Sequence, residues 1–460
     1  GFYDDALNFI GHATGYPTDS KNKPSGNQDL STEVGFFANA NYMYNNRYYA
    51  DFVYRLSGSS KFGSNQRYGQ FWSGGLGWNL HNENFLKFEK LNLLKIRGSV
   101  GYTGKVNFEP FQSITMYKYE NTLEYLHGIG AIPQTIGNDD LKWEREFSYN
   151  IGADISLFDR RLNATLDFYL KRTKDLVLDA SIAPSTGVVS GKQNIGEMEN
   201  KGFEFSVDGF IIQRNDVWWQ LGMNGSTNKN RILKISNALK RQNELNNDVA
   251  PTRQTPAPLA QYEEGESTSA LKVVRSAGID PATGREVFIK LDGTRTFTYS
   301  ADDKVVVGDT DPRFYGNVYT NVFYKGFSLY IMGSFKCGGY LYNVTRASRV
   351  EGTTGRTNVD RRAFDSRWKE VGDIALYRNI TEHSVPQQTD RFVEKENVLT
   401  ITSVNLGYEF PQRICQKMML RNLRLGVNLS DILRFSNVKV ERGLDYLYGN
   451  GFEFTLSTTF

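Results

Sequence analysis

The chain has 460 residues, enough for several soluble domains or one large barrel. A net charge of +3, from 54 Lys and Arg against 51 Asp and Glu, makes no electrostatic case for nucleic acid or an acidic partner. Mean hydropathy is −0.48, and no stretch approaches the ~20 apolar residues of a membrane-spanning helix, which excludes helical membrane proteins but not barrels. Aromatic residues make up 13%, with 26 Tyr and 30 Phe, and there are 43 Gly, a supply that suits interfacial girdles and tight turns.

Successive side chains of a strand face opposite ways, and such dyads run through most of the chain. Val34, Phe36, Ala38, Ala40, Tyr42 and Tyr44 alternate with Gly35, Asn39 and Asn41, and an Asn45-Asn46 turn returns the chain through Tyr48 to Leu56. Strands follow around Tyr68 to Asn79 and Leu93 to Gly104, the latter with Lys95, Arg97 and Ser99 on its polar face. Phe147 to Leu157 turns at Asp159-Arg160 into Leu162, Ala164, Leu166, Phe168 and Leu170. Phe203, Phe205 and Val207 alternate with Glu204, Ser206 and Asp208, and Val217 to Asn228 makes the return. Further on come Phe314 to Tyr324, Phe327 to Phe335, Thr402 to Phe410 and Leu423 to Leu429. The last ten residues set Phe452, Phe454, Leu456, Thr458 and Phe460 against Glu453, Thr455, Ser457 and Thr459. About thirteen strands result, each near the ~9–11 residues that cross a bilayer.

Cost fixes the register. A one-residue slip of the 161–171 strand would turn Asn163, Thr165, Asp167 and Lys171 towards lipid. One Lys or Arg at the midplane costs about 2–4 kcal/mol, and Asp somewhat less. The assigned face carries no charge. The fold class is therefore all-β, a transmembrane antiparallel β-barrel with lipid outside and water inside.

Connections alternate in length. Short ones fall at Asn45-Asn46, Asp159-Arg160, Gln213 to Asp216, Lys325-Gly326 and Pro411 to Lys417, with a longer one after Leu80. Long ones fall at 57–67, 105–140, 179–195, 229–312, 338–397 and 430–450. Short periplasmic turns and long outer loops are the outer-membrane pattern. With Phe460 at the periplasmic rim, every short connection falls on that side. The β-like pieces Ala270 to Val274 and Val287 to Lys290 predict a hairpin standing above the membrane. The sequence opens at Gly1 on loop-like residues and its first strand descends from the outer face. An open edge in hydrocarbon costs several kcal/mol per unpaired backbone group. The expectation is therefore part of a barrel, with the missing strands upstream or on another chain.

Several segments together resemble the SusC/RagA TonB-dependent outer-membrane transporters of Bacteroidota: FANANYMYNNRYYADFVYRLSGSSKFG (37–63), QFWSGGLGWNL (70–80), LKIRGSVGYTG (94–104), GDTDPRFYGNVYTNVFYKGFSL (308–329) and DRFVEKENVLTITSVNLGYEFP (390–411). The resemblance implies a barrel of about 22 strands, in the range of plugged outer-membrane transporters. It also implies an N-terminal plug, a segment that engages TonB, and a SusD-like surface lipoprotein as lid. Energised import of oligosaccharides or peptides is the implied activity. On this reading residues 1–460 are the C-terminal portion of the barrel, and plug and first strands lie outside them. A passive porin and a secreted β-rich adhesin or glycan-binding protein are the alternatives.

Candidate substrate contacts are the inward Arg55, Glu146 and Lys171 near the outer ends of their strands, set against a role as wall charges paired with each other or with the plug. Trp72 and Trp143 near one rim, and Trp78, Trp218 and Trp219 near the other, read as interfacial girdle, set against sugar-stacking sites. Asp280, Asp292, Asp302, Asp303, Asp309 and Asp311 share one loop but lack EF-hand spacing, and turn chemistry accounts for them. Cys337 and Cys415 lie at opposite rims of an apolar wall about 25 Å tall, beyond the ~7 Å of a disulfide. No catalytic constellation, metal site or cofactor motif stands out, so no enzyme activity is expected.

Overall fold

The computed structural model describes residues 29–125, 128–181, 185, 187–188, 190–249, 256–353, 359–439 and 449–459. The chain enters on β1 (Glu33–Tyr44), β2 (Tyr48–Ser59), β3 (Tyr68–Asn79) and β4 (Leu91–Lys105). A separate hairpin, β5 (Met116–Tyr125) and β6 (Gly128–Thr135), precedes β7 (Glu144–Leu157) and β8 (Leu162–Lys174). A second small hairpin, β9 (Val177–Ser181) and β10 (Ser190–Asn194), leads to β11 (Glu197–Arg214) and β12 (Val217–Lys234). Helix α1 (Asn237–Val249) opens the long insertion, followed by β13 (Ala270–Ile279), β14 (Glu286–Ile289), β15 (Arg295–Thr296) and β16 (Lys304–Asp309). The chain finishes through β17 (Phe314–Tyr324), β18 (Phe327–Tyr342), α2 (Arg362–Asp365), β19 (Val393–Glu409), α3 (Gln412–Lys417), β20 (Asn422–Ser436) and β21 (Gly451–Thr459).

Thirteen strands form one antiparallel sheet in the order β1-β2-β3-β4-β7-β8-β11-β12-β17-β18-β19-β20-β21. The register keeps one face apolar across the whole sheet. Tyr54 lies opposite Trp72, Ile151 opposite Phe168, Phe168 opposite Phe203, and Leu406 opposite Val427. These side chains stay uncovered by protein: Ile151 is 65% exposed, Phe168 60% and Phe454 81%. A wall that exposes its large apolar residues is built for lipid. Among the described residues no helix is long and apolar enough to span a membrane.

The turns sit where expected. Asn45 and Asn46 both take positive φ (49° and 55°), and Arg47 N–H donates to Tyr44 O (2.9 Å), a tight turn whose left-handed backbone Asn tolerates. Phe158, Asp159 and Arg160 (φ 57°, 56° and 63°) and Lys325-Gly326 (46° and 96°) close two more of the short connections. Each turn is tied to its neighbour along this rim: Asn79 N–H donates to Arg47 O, Phe158 N–H to Lys90 O, and Lys325 N–H to Asp216 O. Phe460 lies outside the described residues.

The opposite end departs from expectation. Strands run beyond the bilayer; β11 and β12 have 18 residues each and β18 has 16. Above the membrane both faces meet water, so the dyad stops while the ladder continues. The expected hairpin of the 229–312 insertion is present as β13 and β14, but it belongs to a four-stranded sheet, β15-β14-β13-β16. Its companion α1 starts where the Ser236 hydroxyl accepts from Leu239 N–H (3.1 Å). Two tryptophans correct the girdle reading. Trp143 packs under the loops against Phe62 (4.3 Å between centroids) and Phe71 (5.3 Å). Trp218 lies on the polar face and stacks on Phe323 (5.9 Å). The buried apolar clusters are likewise loop features: Phe62, Phe108 and Leu141 in one, Leu271, Val273, Tyr342, Ala347 and Phe392 in another.

Candidate functional site: the polar face and its outer rim

The polar face of the wall is bonded from strand to strand. Arg97 of β4 lies opposite Gly152 of β7, which lies opposite Asp167 of β8. The guanidinium spans all three strands, reaching Asp154 Oδ2 (3.3 Å), Asn150 Oδ1 (3.4 Å) and Asp167 Oδ2 (2.6 Å). Gly152 makes this possible, because a Cβ there would stand 2.8 Å from the Arg97 Cζ and 2.5 Å from Asp167 Oδ1. Further round, Asn163 and Gln220 both donate to Asp208 Oδ2 (3.3 Å each), Asn317 to Asn224 Oδ1 (3.2 Å), and Asn428 to Glu453 Oε2 (3.2 Å). A face of bonded amides and carboxylates can line an aqueous passage without collapsing on it.

The three inward candidates do not form one cluster. Arg55 on β2 is exposed, with its guanidinium over Gly35. Lys171 on β8 is exposed and lies over the Tyr169 ring at 5.3 Å. Among the described residues no ion pair engages Arg55 or Lys171. Glu146 on β7 is buried, receiving Lys105 Nζ at 2.6 Å and the Thr173 hydroxyl at 3.4 Å. Glu146 and Lys171 share neighbouring positions on β7 and β8, whereas β3 and β4 separate Arg55 from them.

An ionic lock that sequence alone did not indicate holds the outer loops. Arg391, just before β19, sends Nε and Nη2 to the Glu286 carboxylate (2.7 Å each) and Nη1 and Nη2 to Glu351 (2.9 and 2.7 Å). Arg378 adds its Nε to Glu351 Oε1 (2.8 Å). Arg367 donates to four backbone carbonyls, those of Val350, Glu351, Ala363 and Arg378. Burial by itself would lower the Arg391 pKa, but Glu286 and Glu351 together more than offset that and hold it above its ordinary value. Burial pushes the Asp390 carboxyl up against the donation from Ser276 N–H, and it drives Lys304 down to about 8. The lock was invisible because its members are up to 105 residues apart.

The loop aspartates serve as turn caps. Asp280 Oδ2 accepts from Thr283 N and Oγ1 (3.1 and 2.6 Å), and Asp292 Oδ1 accepts from Thr294 N and Oγ1 (2.8 and 2.6 Å). Among the described residues no group of three or more His, Cys, Asp or Glu is placed to hold a metal ion. Cys337 on β18 and Cys415 in α3 are both free thiols.

Residues 2–428 match the family model described as "TonB dependent receptor-like, beta-barrel". TonB-dependent receptor P3 of Formosa agariphila is 28% identical over 434 residues, 90% of this chain and 42% of that protein. TonB-dependent receptor SusC of Bacteroides thetaiotaomicron is 35% identical over 214 residues, 45% of this chain and 21% of that protein. The solved RagAB peptide transporter superposes with a TM-score of 0.78 at 24% identity, over 95% of this chain and 48% of that one. The chain thus spans less than half the length of these relatives. Thirteen lipid-facing strands, a bonded polar face, short turns at one rim and the family match agree: the chain belongs to the TonB-dependent receptor-like β-barrels of the bacterial outer membrane.

Proposed function

We propose that this chain forms the lumen wall of a SusC-like importer that takes up oligosaccharides or peptides under TonB, with a SusD-like lipoprotein closing the outer face. The observation that carries the reading is the open wall. Among the described residues β1 pairs only with β2 and β21 only with β20. Two unpaired strand edges cannot face hydrocarbon, so further strands complete the wall, and a plug within them supplies the TonB contact. The kinship with SusC and the likeness to the RagAB peptide transporter support import over passive permeation. In this reading the exposed, unpaired Arg55 and Lys171 are the candidate substrate contacts. Glu146, held by Lys105, sets the wall beside Lys171.

The test is uptake by cells carrying the complete protein, with and without TonB, after mass spectrometry has identified the oligosaccharide or peptide copurifying with the intact complex. Loss of uptake without TonB is expected. Undiminished uptake in the TonB-deficient strain would make the protein a passive pore.

A further inference from the structure

Lys201 on β11 and Lys229 on β12 are direct cross-strand partners. Their side chains fall on the apolar side of the wall, in register with Phe203 and Thr227 one step below. Like charges placed opposite one another in a sheet destabilise it, and both lysines are exposed. Among the described residues no carboxylate forms an ion pair with Lys201, Lys229, Arg231 or Arg313. The nearby acids are mostly committed. Glu197 takes Arg172 (2.9 Å), Glu266 takes Lys272 (2.7 Å), and Asp309 accepts from Ser269 Oγ (2.6 Å) and Asp311 N (3.0 Å). Among the described residues Glu199, opposite Arg231, and Asp309 make no ion pair.

The four cations line a cavity of about 630 Å³ between the outer ends of β11, β12 and β18 and the inserted strand β16. Directly beneath lies an aromatic run on the lipid face: Phe168–Phe203 (4.6 Å), Phe203–Phe205 (5.9 Å), Phe205–Phe314 (6.0 Å) and Phe314–Phe335 (5.1 Å). The apolar face of β11 extends from Phe203 to Ile212. The partners Thr227 and Trp219 lie eight steps apart across a bulge at Phe210–Ile212, and eight steps at about 3.4 Å, tilted by about 40°, rise roughly 21 Å, close to the ~25 Å height of a barrel's apolar band. Lys201 and Lys229 therefore stand at the outer headgroup level, with an aromatic surface below them for acyl chains.

We propose that this cavity binds the phosphate-bearing headgroup of an outer-leaflet lipid of net negative charge, whose chains lie over the Phe168–Phe335 run. The bound anion neutralises the opposed lysines, and the lipid seats the strand extensions and the inserted sheet at the membrane surface. A cation near an anionic lipid surface gains roughly a fivefold affinity increment, so removing two weakens binding by about 30-fold.

The experiment uses the intact transporter in dodecyl maltoside. Phosphatidic acid is added to the wild type and to a Lys201→Gln, Lys229→Gln variant, with phosphatidylcholine and inorganic phosphate as comparison probes. Native mass spectrometry reads lipid occupancy, and heat-modifiable migration checks folding. The expected result is retention of phosphatidic acid by the wild type, an apparent Kd about 30-fold higher on the variant across a lipid titration, and no displacement by millimolar phosphate. Equal retention of phosphatidylcholine, equal occupancy on the variant, or displacement by inorganic phosphate overturns the proposal, the last in favour of a soluble-anion site. If the double variant does not fold, Lys229→Glu decides, because it gives Lys201 a cross-strand partner. Its thermal midpoint without lipid should exceed that of the wild type, and it should lose the upward shift that phosphatidic acid gives the wild type. A persisting shift refutes the site.

Discussion

Glu351→Gln tests the ionic lock most directly. The Glu351 carboxylate is buried, with the residue 1% exposed, and it accepts from both Arg378 and Arg391. The substitution keeps its shape and removes its charge. Arg391 retains its two bonds to Glu286, and Arg378 retains Ser384 through Oγ (2.9 Å) and O (2.8 Å). Two guanidinium groups are then left with one carboxylate in a site shielded from water. Removing one partner of a buried ion pair costs about 3–5 kcal/mol. The surviving bonds place this case near 3 kcal/mol, roughly a 150-fold rise in the opening equilibrium of the loop. Hydrogen exchange read by mass spectrometry on the intact detergent-solubilised protein should show that rise in peptides covering 346–351 and 377–391. Wall peptides from β8 and β11 should not change. A second substitution, Arg378→Gln, should recover part of the loss by removing the surplus cation. Unchanged exchange in the loop would refute the lock, and equal acceleration in the wall would show that it is not local to the loops.

Leu166→Arg puts a cation on the apolar face between Ala153 and Phe205 and should cost about 2–4 kcal/mol. Thr165→Arg, between Asp154 and Ser206, should be tolerated; equal losses of heat-modifiable barrel from both would refute the register. Lys304, with its pKa lowered to about 8 by burial and by Lys272, against Asp302, binds fewer protons folded than unfolded between about 8 and the ordinary lysine range. Protection of β16, corrected for intrinsic exchange, should therefore rise with pH across that window and not fall. Lys304→Met should remove that dependence. Thiol labelling in denaturant without reductant should modify both Cys337 and Cys415; a crosslinked peptide joining them would overturn the topology.

What sequence made legible follows from which solvent acts on each residue. Between Phe203 and Ile212 one face of β11 meets lipid and the other water, so the residues alternate and the strand can be read. Above Phe203 both faces meet water. Glu197 to Lys201 carry no dyad although the ladder to Lys234–Lys229 continues, and the strand's true length was hidden. Helix α1 has a weak apolar pattern, and only Ser236 at its start gave a local signal. Trp143 looked interfacial because its type and rim position fit a girdle, yet Phe62 and Phe71 bring it under the loops. Parity alone puts the three candidates on the polar face. Their grouping was not legible, since pairing of Glu146 with Lys105 and isolation of Arg55 depend on strand order and on long side chains.

The same division governs how the molecule is held together. In the wall, large apolar side chains remain exposed, and stability rests on the backbone ladder and on polar bridges such as Arg97 across Gly152 to Asp167. In the loops, apolar residues are buried as in a soluble domain, and charged groups are paired within that packing. The two regimes meet at the strand extensions: Tyr342 at the end of β18 packs on Phe392 beside β19, at 5.8 Å between ring centroids. A substitution in a loop core therefore acts on the wall only through those extensions. Loops can diverge in sequence, and with them what they recognise, while the lipid-facing alternation that builds the barrel stays fixed.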